Sequence, residues 1–426
     1  SSHTRTTEVE PPSHTQSMAP AEHKGFKFPV ATKIILKNGL TALYHHSSIT
    51  PKIDIVVDFK SKSYYDPENK QGLCSFMNRM LVEGTKKYSA DRLARALESR
   101  AITFKAAPGS MYMSMLREDL EYGLDLLHEI MTNALFDEKA IEKVRAKILA
   151  DIKSFWDEPT LFSGQLMNDI IYKGHPYSKN GLGTQESIKS ITQDDLIECY
   201  KNFISPLGAR IAIVGDIECY DIKSVLEKRV GAWKGMPVQD IVFPQLAATV
   251  AHEVVYPINR DQVVLFMAAS SVKRADPDYD KLVLFDQIFG SGVLGSMASR
   301  LFMLREQTGL FYTISGSTVA NASEQPGMVY VKTIVSPDRL KEAERAIKGI
   351  IGTVVDSIKD YELEEAKRAI LTASVEHFES NAGIAKAFIF IDRYNFRPDY
   401  FDTRKAVLAK ITIKDVQDAV KKVLLN

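Results

Sequence analysis

Ile53, Ile55, Val57 and Phe59 alternate with Asp54, Asp58 and Lys60, interrupted only by Val56. That is the period of a strand with one face on a core and one face in water. Just before it, Ile34-Ile35-Leu36-Lys37-Asn38-Gly39-Leu40-Thr41-Ala42-Leu43-Tyr44 sets an Asn-Gly pair between two apolar runs, the strongest short-range signal for a β-hairpin. The period then changes. Leu120, Leu124, Leu127 and Met131 recur at helical spacing, and Ile141, Ile148 and Ile152 mark a second amphipathic helix. Mixed strands and helices are predicted, not a solenoid of short units.

The same pattern returns later in the chain. Leu120, Leu126, Leu127, Ile130 and Met131 align with Leu340, Ala346, Ile347, Ile350 and Ile351, and Ile191-Thr192 with Asp195-Leu196 aligns with Ile411-Thr412 and Asp415-Val416 at the same shift. Ile141-Glu142-Lys143 and Ile148-Leu149 align with Leu363-Glu364-Glu365 and Ile370-Leu371 at a shift two residues longer. Ordered matches near one offset point to a duplicated domain. The expected organisation is a tail over 1–27, one half over 28–235, a linker over 236–247 near Trp233-Lys234-Gly235-Met236-Pro237, and a second half over 248–426.

With 426 residues, 45% apolar and 25% charged, the chain is long enough for two substantial cores. Lys plus Arg equals Asp plus Glu at 54 each, so no net field favours nucleic acid or an anionic surface. Cys74, Cys199 and Cys219 are too few and too scattered for a disulfide framework, and redox chemistry is not expected from them. No stretch approaches the roughly 20 apolar residues of a membrane span. Residues 1 to about 25 mix Ser, Thr, Pro, Glu and His without periodicity, which reads as a disordered tail. A removed signal peptide would place the protein in a bacterial periplasm or envelope.

Around Gly72 the chain reads Gly72-Leu73-Cys74-Ser75-Phe76-Met77-Asn78-Arg79-Met80-Leu81-Val82-Glu83-Gly84-Thr85. This resembles the insulinase or pitrilysin-type zinc peptidases, whose segment runs Gly-Leu-Ala-His-Phe-Leu-Glu-His-Met-Leu and ends Gly-Thr. Their inverted motif His-x-x-Glu-His supplies two imidazole ligands and a glutamate base from one helix. Here the three chemical positions hold Ser75, Asn78 and Arg79. A serine hydroxyl is a poor zinc ligand, an asparagine amide accepts no proton, and a permanent cation repels the metal. The resemblance aligns the third ligand, a downstream glutamate, with Asp151 and its companion glutamate with Val144. Asp151 alone makes no metal site, and an Arg79–Asp151 ion pair is the preferred reading of these positions.

Nothing else in the sequence replaces that site. His45 and His46 are adjacent and would point to opposite faces of a strand. His175-Pro176-Tyr177, followed by Gly181 and Gly183, is similar to a turn of the same family and is read as structural. Gly290-Ser291-Gly292-Val293-Leu294-Gly295 satisfies the dinucleotide spacing, but Tyr279, Leu282, Phe285, Ile288 and Phe289 before it have helical period where a strand is required. The resemblance makes Gly290, Gly292 and Gly295 a flexible loop.

The stretch that follows, Ser299-Arg300-Leu301-Phe302-Met303-Leu304-Arg305-Glu306-Gln307-Thr308-Gly309-Leu310-Phe311-Tyr312, is similar to the family's second-half signature of Ser-Arg-Leu, Leu-Arg-Glu and Gly-Leu-x-Tyr. In that family the arginine and tyrosine face the zinc site and hold the substrate backbone. In two-chain members they come from the subunit without zinc ligands. Carried over, the pair is Arg305 and Tyr312. The plainer alternative is that Arg305 pairs with a helix carboxylate and Tyr312 fills a strand edge.

The resemblance thus implies an α+β, clam-shell fold of two α/β sandwich halves. It also implies a subunit with no zinc of its own, inactive alone, that joins a zinc-bearing homologue around a peptide or unfolded small protein. A structural or binding module of the same fold in a larger complex is the competing expectation.

Overall fold

The computed structural model describes residues 26–248, 251, 253–290 and 297–424. The tail expected over 1–27 therefore lies outside the described residues except for Phe26 and Lys27. The Asn38-Gly39 turn joins β1 (Thr32–Ile35) to β2 (Thr41–His46) in antiparallel register, with Gly39 at φ +91°, a conformation that glycine takes without steric cost. With β3 (Lys52–Asp58), β4 (Thr103–Ala107), β5 (Ser110–Leu116) and β6 (Arg210–Gly215) they form a six-stranded sheet ordered β1-β2-β6-β3-β5-β4. Only β2 and β6 run parallel. A second, antiparallel sheet is ordered β7-β9-β8, from β7 (Val263–Ser270), β8 (Thr313–Ala320) and β9 (Met328–Val335).

Each sheet carries its own helices and its own core. One core gathers residues from Leu36 to Trp233, including the helices Leu73–Met80, Leu120–Asn133 and Glu138–Asp157. The other gathers residues from Leu282 to Val423, with the helices Leu340–Val354 and Asp360–His377 in the matching positions. The fold is α+β. The repetition extends to individual caps. Thr192 and Asp195 close the helix Gln193–Phe203 with reciprocal bonds of 3.2 and 2.9 Å, and Thr412 with Asp415 does the same for Ile413–Leu424 at the same distances.

The structure corrects one feature of β3. The alternation predicts a wet face, yet Asp54 and Val56 are 9% and 5% exposed. The cause is the helix Asn381–Arg393 from the second half, which lays Ile384, Ala385 and Phe388 on Leu43, Val56, Ala212 and Val214. The exchange is reciprocal. The helix Pro159–Ile171 of the first half covers the second sheet, and Met167, Ile171 and Tyr172 pack against Phe266, Ala268, Met328 and Tyr330. These two helices stand at the longer of the two sequence shifts, so they are equivalent members of the repeat.

Polar contacts reinforce the exchange. Asp392 accepts from Lys33 and from Arg210, both at 2.6 Å. Burial alone would raise its pKa, but these two cations hold the Asp392 carboxyl below the usual carboxylate range.

Candidate functional site

The helix Leu73–Met80 begins at Gly72, which has φ +89°. Asp66 caps it, accepting from Gly72 N–H at 2.8 Å and from Cys74 N–H at 2.9 Å. A Cβ on Gly72 would come within 2.9 Å of both Gly183 Cα and the Leu182 carbonyl oxygen, so glycine is required for two reasons. The segment beginning at Gly72 and the turn from His175 to Gly183, distant in sequence, are thus packed backbone to backbone.

Within this helix the apolar side chains Leu73, Phe76, Met77 and Met80 are buried, which leaves Ser75 and Arg79, four residues apart, on the accessible face. Arg79 donates to Asp151 at 2.9 Å, reaching across to the helix Glu138–Asp157. Their side chains are 30% and 43% exposed. Such a pair adds little to stability, about 0 to 1 kcal/mol. Asn78 is buried and turned back on its own helix, donating from Nδ2 to the Cys74 carbonyl at 2.7 Å, while its Oδ1 has no partner. Val144 is a core residue 5% exposed. Ser75, Asn78, Arg79 and Asp151 thus present a guanidinium bonded to a carboxylate, and this donor set does not fit zinc. No group of three or more His, Cys, Asp or Glu that could hold a metal occurs among the described residues.

His175 is 3% exposed and stacks on Phe243 with ring centroids 5.3 Å apart. Its Nδ1 accepts from Tyr177 N–H at 3.0 Å, and its Nε2 lies 3.0 Å from Gln325 Oε1 in the second half. Because the amide oxygen only accepts, Nε2 carries the proton, and both ring nitrogens are satisfied in the neutral imidazole. Burial lowers its pKa. Tyr172 Oη adds a bond to the Pro326 carbonyl at 2.7 Å.

In the second half, Ser299 caps the helix Arg300–Thr308, accepting from Phe302 N–H at 3.3 Å. Gly309, at φ +61°, ends the helix by donating to the Arg305 carbonyl at 3.0 Å. Leu310 and Phe311 then enter the core, and Tyr312 leads into β8, its N–H bonded to the Ile334 carbonyl at 2.9 Å. The two arginines of this helix differ sharply. Arg300 is held by Glu362 at 2.7 and 3.0 Å and by Ser357 at 2.8 and 3.1 Å. Arg305 is half-buried, and its side chain makes no hydrogen bond or ion pair among the described residues. The Tyr312 side chain, 53% exposed, likewise has no partner there.

The structure brings Arg79 and Asp151 together and joins neither to Arg305 or Tyr312. Gly290 ends the helix Tyr279–Phe289 by donating to the Asp286 carbonyl at 2.9 Å, while Gly292 and Gly295 lie outside the described residues. Sequence reasoning missed Asp66, whose only sequence signal is a carboxylate six residues before the motif glycine. It also missed Gln325 and Glu362, whose partners are set by tertiary packing alone.

Comparison with known proteins matches two consecutive stretches of the chain. Residues 41–185 match the family model described as insulinase (peptidase family M16), and residues 190–370 match that of the peptidase M16 inactive domain. A Bacillus subtilis protein named as an uncharacterized zinc protease, YmxG, is 24% identical over 355 residues, covering 81% of this chain and 83% of that one. The Helicobacter pylori protein named non-peptidase homolog YmxG is 21% identical over 391 residues, with 89% and 88% covered. The crystal structure of a peptidase M16 inactive domain from Pseudomonas fluorescens superposes with a TM-score of 0.81 at 21% identity, covering 92% of this chain and 95% of that one. With two models of one family matched in order over 41–185 and 190–370 and the fold shared nearly end to end, the chain belongs to the insulinase-type (M16) peptidase family.

Proposed function

We propose that this chain is a non-catalytic member of its family that pairs with a zinc-bearing homologue and completes that partner's peptidase site with Arg305 and Tyr312. The observation that carries the reading is the contrast between Arg300, whose donors are consumed by Glu362 and Ser357, and Arg305, whose donors are uncommitted. A half-buried guanidinium and an exposed phenol without internal partners are suited to hold a peptide carbonyl and the oxyanion formed from it, once a second chain has excluded water. Zinc would belong to the partner. Arg79 with Asp151 supports this division of labour, since that pair gives the partner's peptide a polar wall and no second metal.

The test is purification of the full chain with its native partner, followed by peptidase assays on each chain and on the pair. Hydrolysis by the pair and by neither chain alone supports the reading. A partner without an intact His-x-x-Glu-His, or a complex inert toward unfolded peptides, rejects it in favour of a binding module of the same fold. The Helicobacter pylori relative named as a non-peptidase homolog gives that second reading its support.

A further inference from the structure

The second sheet, β7-β9-β8, repeats the β3-β5-β4 part of the first. Just beyond the paired strands, Phe59 N–H donates to the Gly109 carbonyl at 2.8 Å, and Ser271 N–H donates to the Gly327 carbonyl at the same distance. That match puts Ser270, Ala268, Phe266 and Val264 where Asp58, Val56, Asp54 and Lys52 stand. In the first sheet β3 has a neighbour on each side, β5 and β6. In the second, β7 pairs with β9, and no strand pairs with its other edge among the described residues. Burial follows the pairing: residues 53–57 of β3 are buried, whereas no residue of β7 is.

Alternation along an antiparallel strand fixes which backbone groups are left over. Because Ser271 bonds on the β9 side, Val264, Phe266, Ala268 and Ser270 turn their N–H and C=O groups outward. Their counterparts Asp54, Val56 and Asp58 face Val214, Ala212 and Arg210 of β6, and the Lys52 carbonyl accepts from Asp216 N–H at 3.1 Å. Open edges are ordinarily blunted by a charge or a bulge. β1 carries Lys33, β4 carries Lys105, and β8 has a register shift between Ser317 and Ala320. β7 reads Val-Val-Leu-Phe-Met-Ala-Ala-Ser, with no charge and no proline. At its Ser270 end the edge runs into a cavity of about 1010 Å³, bounded by residues 243–248, residues 269–273 and the last turn of Ile413–Leu424. The matching place in the first half is taken by residues 204–209, which lead from Gln193–Phe203 into β6. There a Cβ on Gly208 would lie 3.2 Å from Cε of Lys60, the counterpart of Val272.

We propose that the outer edge of β7 is an acceptor site for one further β-strand, apolar on both faces and supplied in trans by a second polypeptide. The source is another chain because β1 to β6 are all engaged in the first sheet, and the stretches outside the described residues contain no run comparable to Ile211-Ala212-Ile213-Val214. Both faces are apolar because Phe266 and Ala268 lie under the helix Pro159–Ile171, while Val263, Leu265 and Met267 pack on the second core. The added strand runs antiparallel to β7, as β6 does to β3, with the counterparts of Ala212 and Val214 beside Ala268 and Phe266. Main-chain hydrogen bonds supply the affinity and the two apolar faces the selectivity. The site does not rest on Arg305 and Tyr312 or on a peptidase partner.

The probe is a fluorescein-labelled synthetic peptide with the sequence of residues 204–217, added to the full chain. The expected result is saturable binding by fluorescence anisotropy, with hydrogen exchange slowed in β7 and unchanged in β1 and β4. The same peptide with Ala212→Pro lacks an N–H aimed at the acceptor edge and should bind about tenfold more weakly. Ala268→Pro in the chain removes an outward N–H without removing a bond to β9, and should weaken binding by a similar factor; if that variant does not fold, the peptide variant makes the same test. The proposal is overturned if the unsubstituted peptide shows no saturable binding, or if the proline peptide binds as well. Protection that appears in β1 or β4 and leaves β7 unchanged overturns it equally.

Discussion

Arg79 on one helix and Asp151 on another meet at 2.9 Å, so the Asp151 carboxylate is already bound to a cation of the same chain. A zinc ion there would have to displace a guanidinium that is charged at every accessible pH, and would gain one carboxylate in return. The purified chain should contain no stoichiometric zinc and should hydrolyse no peptide by itself. Elemental analysis is the check, and one tightly held zinc per chain that disappears in Asp151→Ala would contradict it.

Restoring the missing motif should not restore activity. Ser75→His, Asn78→Glu and Arg79→His supply the ligands and base, but Asn78 points into the core and Val144 is a packed core residue. A glutamate at 78 would carry a charge into a buried site, at a cost on the order of several kcal/mol even after relaxation. The triple variant is expected to lose stability and to show only trace peptidase activity. Strong zinc-dependent hydrolysis would mean that the surroundings of the motif are still those of an enzyme.

Much of the frame is written in local sequence, because it depends on local chemistry. The Asn38-Gly39 hairpin, the helices around Leu120 and Ile141, and the duplicated Thr-x-x-Asp caps each follow from a few adjacent residues. The covered face of β3 was hidden because its cover comes from Asn381–Arg393, more than three hundred residues later. Val56 was the one local sign, an apolar residue on the nominally wet face. The meeting of Cys74 with Cys199 was invisible for the same reason, since no spacing rule relates residues on two helices that pack only in the finished fold.

The exchanged helices should make the halves unfold together. Phe388 belongs to the second half but fills the outer face of the first sheet, and it is 3% exposed. Phe388→Ala should cost about 3 to 5 kcal/mol. The loss should be visible in tryptophan fluorescence, since Trp233 sits in the first core and Trp156, the other tryptophan, packs against it. Urea unfolding followed by fluorescence and by circular dichroism should give one coincident transition, shifted equally in both signals. A fluorescence transition unmoved by the substitution would mean that the first half stands without its borrowed helix.

Acid should loosen the contacts between the halves in a defined window. The neutral His175 ring is held by Tyr177 N–H and Gln325, and burial lowers its folded pKa below the ordinary value of 6.5. The unfolded chain therefore takes up the proton first. The stabilisation is complete above pH 6.5 and declines as pH falls from 6.5 toward the lower folded pKa. A second decline, from Asp392, starts only below the ordinary carboxylate value of 3.8, because Lys33 and Arg210 depress its folded pKa against the effect of burial. Melting temperatures measured from pH 8 to pH 4 should fall below pH 6.5, and His175→Gln should flatten that fall. An unchanged profile in the variant would assign the pH dependence to other groups.

The uncommitted pair in the second half carries the sharpest prediction, because its side chains do nothing visible for the fold. Tyr312→Phe keeps the ring and removes only the hydroxyl, and with Tyr312 exposed and its side chain unpartnered the chain should fold and associate as before. In the complex with a zinc-bearing partner, loss of one donor to the developing oxyanion should cost about 3 kcal/mol of transition-state stabilisation, a rate loss on the order of a hundredfold. Arg305→Lys should also impair turnover, since an ammonium cannot reproduce the planar fork of guanidinium donors. Arg300→Lys, by contrast, should lower stability through the Glu362 and Ser357 contacts and spare the turnover of whatever complex forms. Steady-state cleavage by the reconstituted pair, with association followed by size exclusion, separates the three variants. Full turnover by both Tyr312→Phe and Arg305→Lys in a normally assembled complex would reduce these residues to surface features and leave the binding module as the better account.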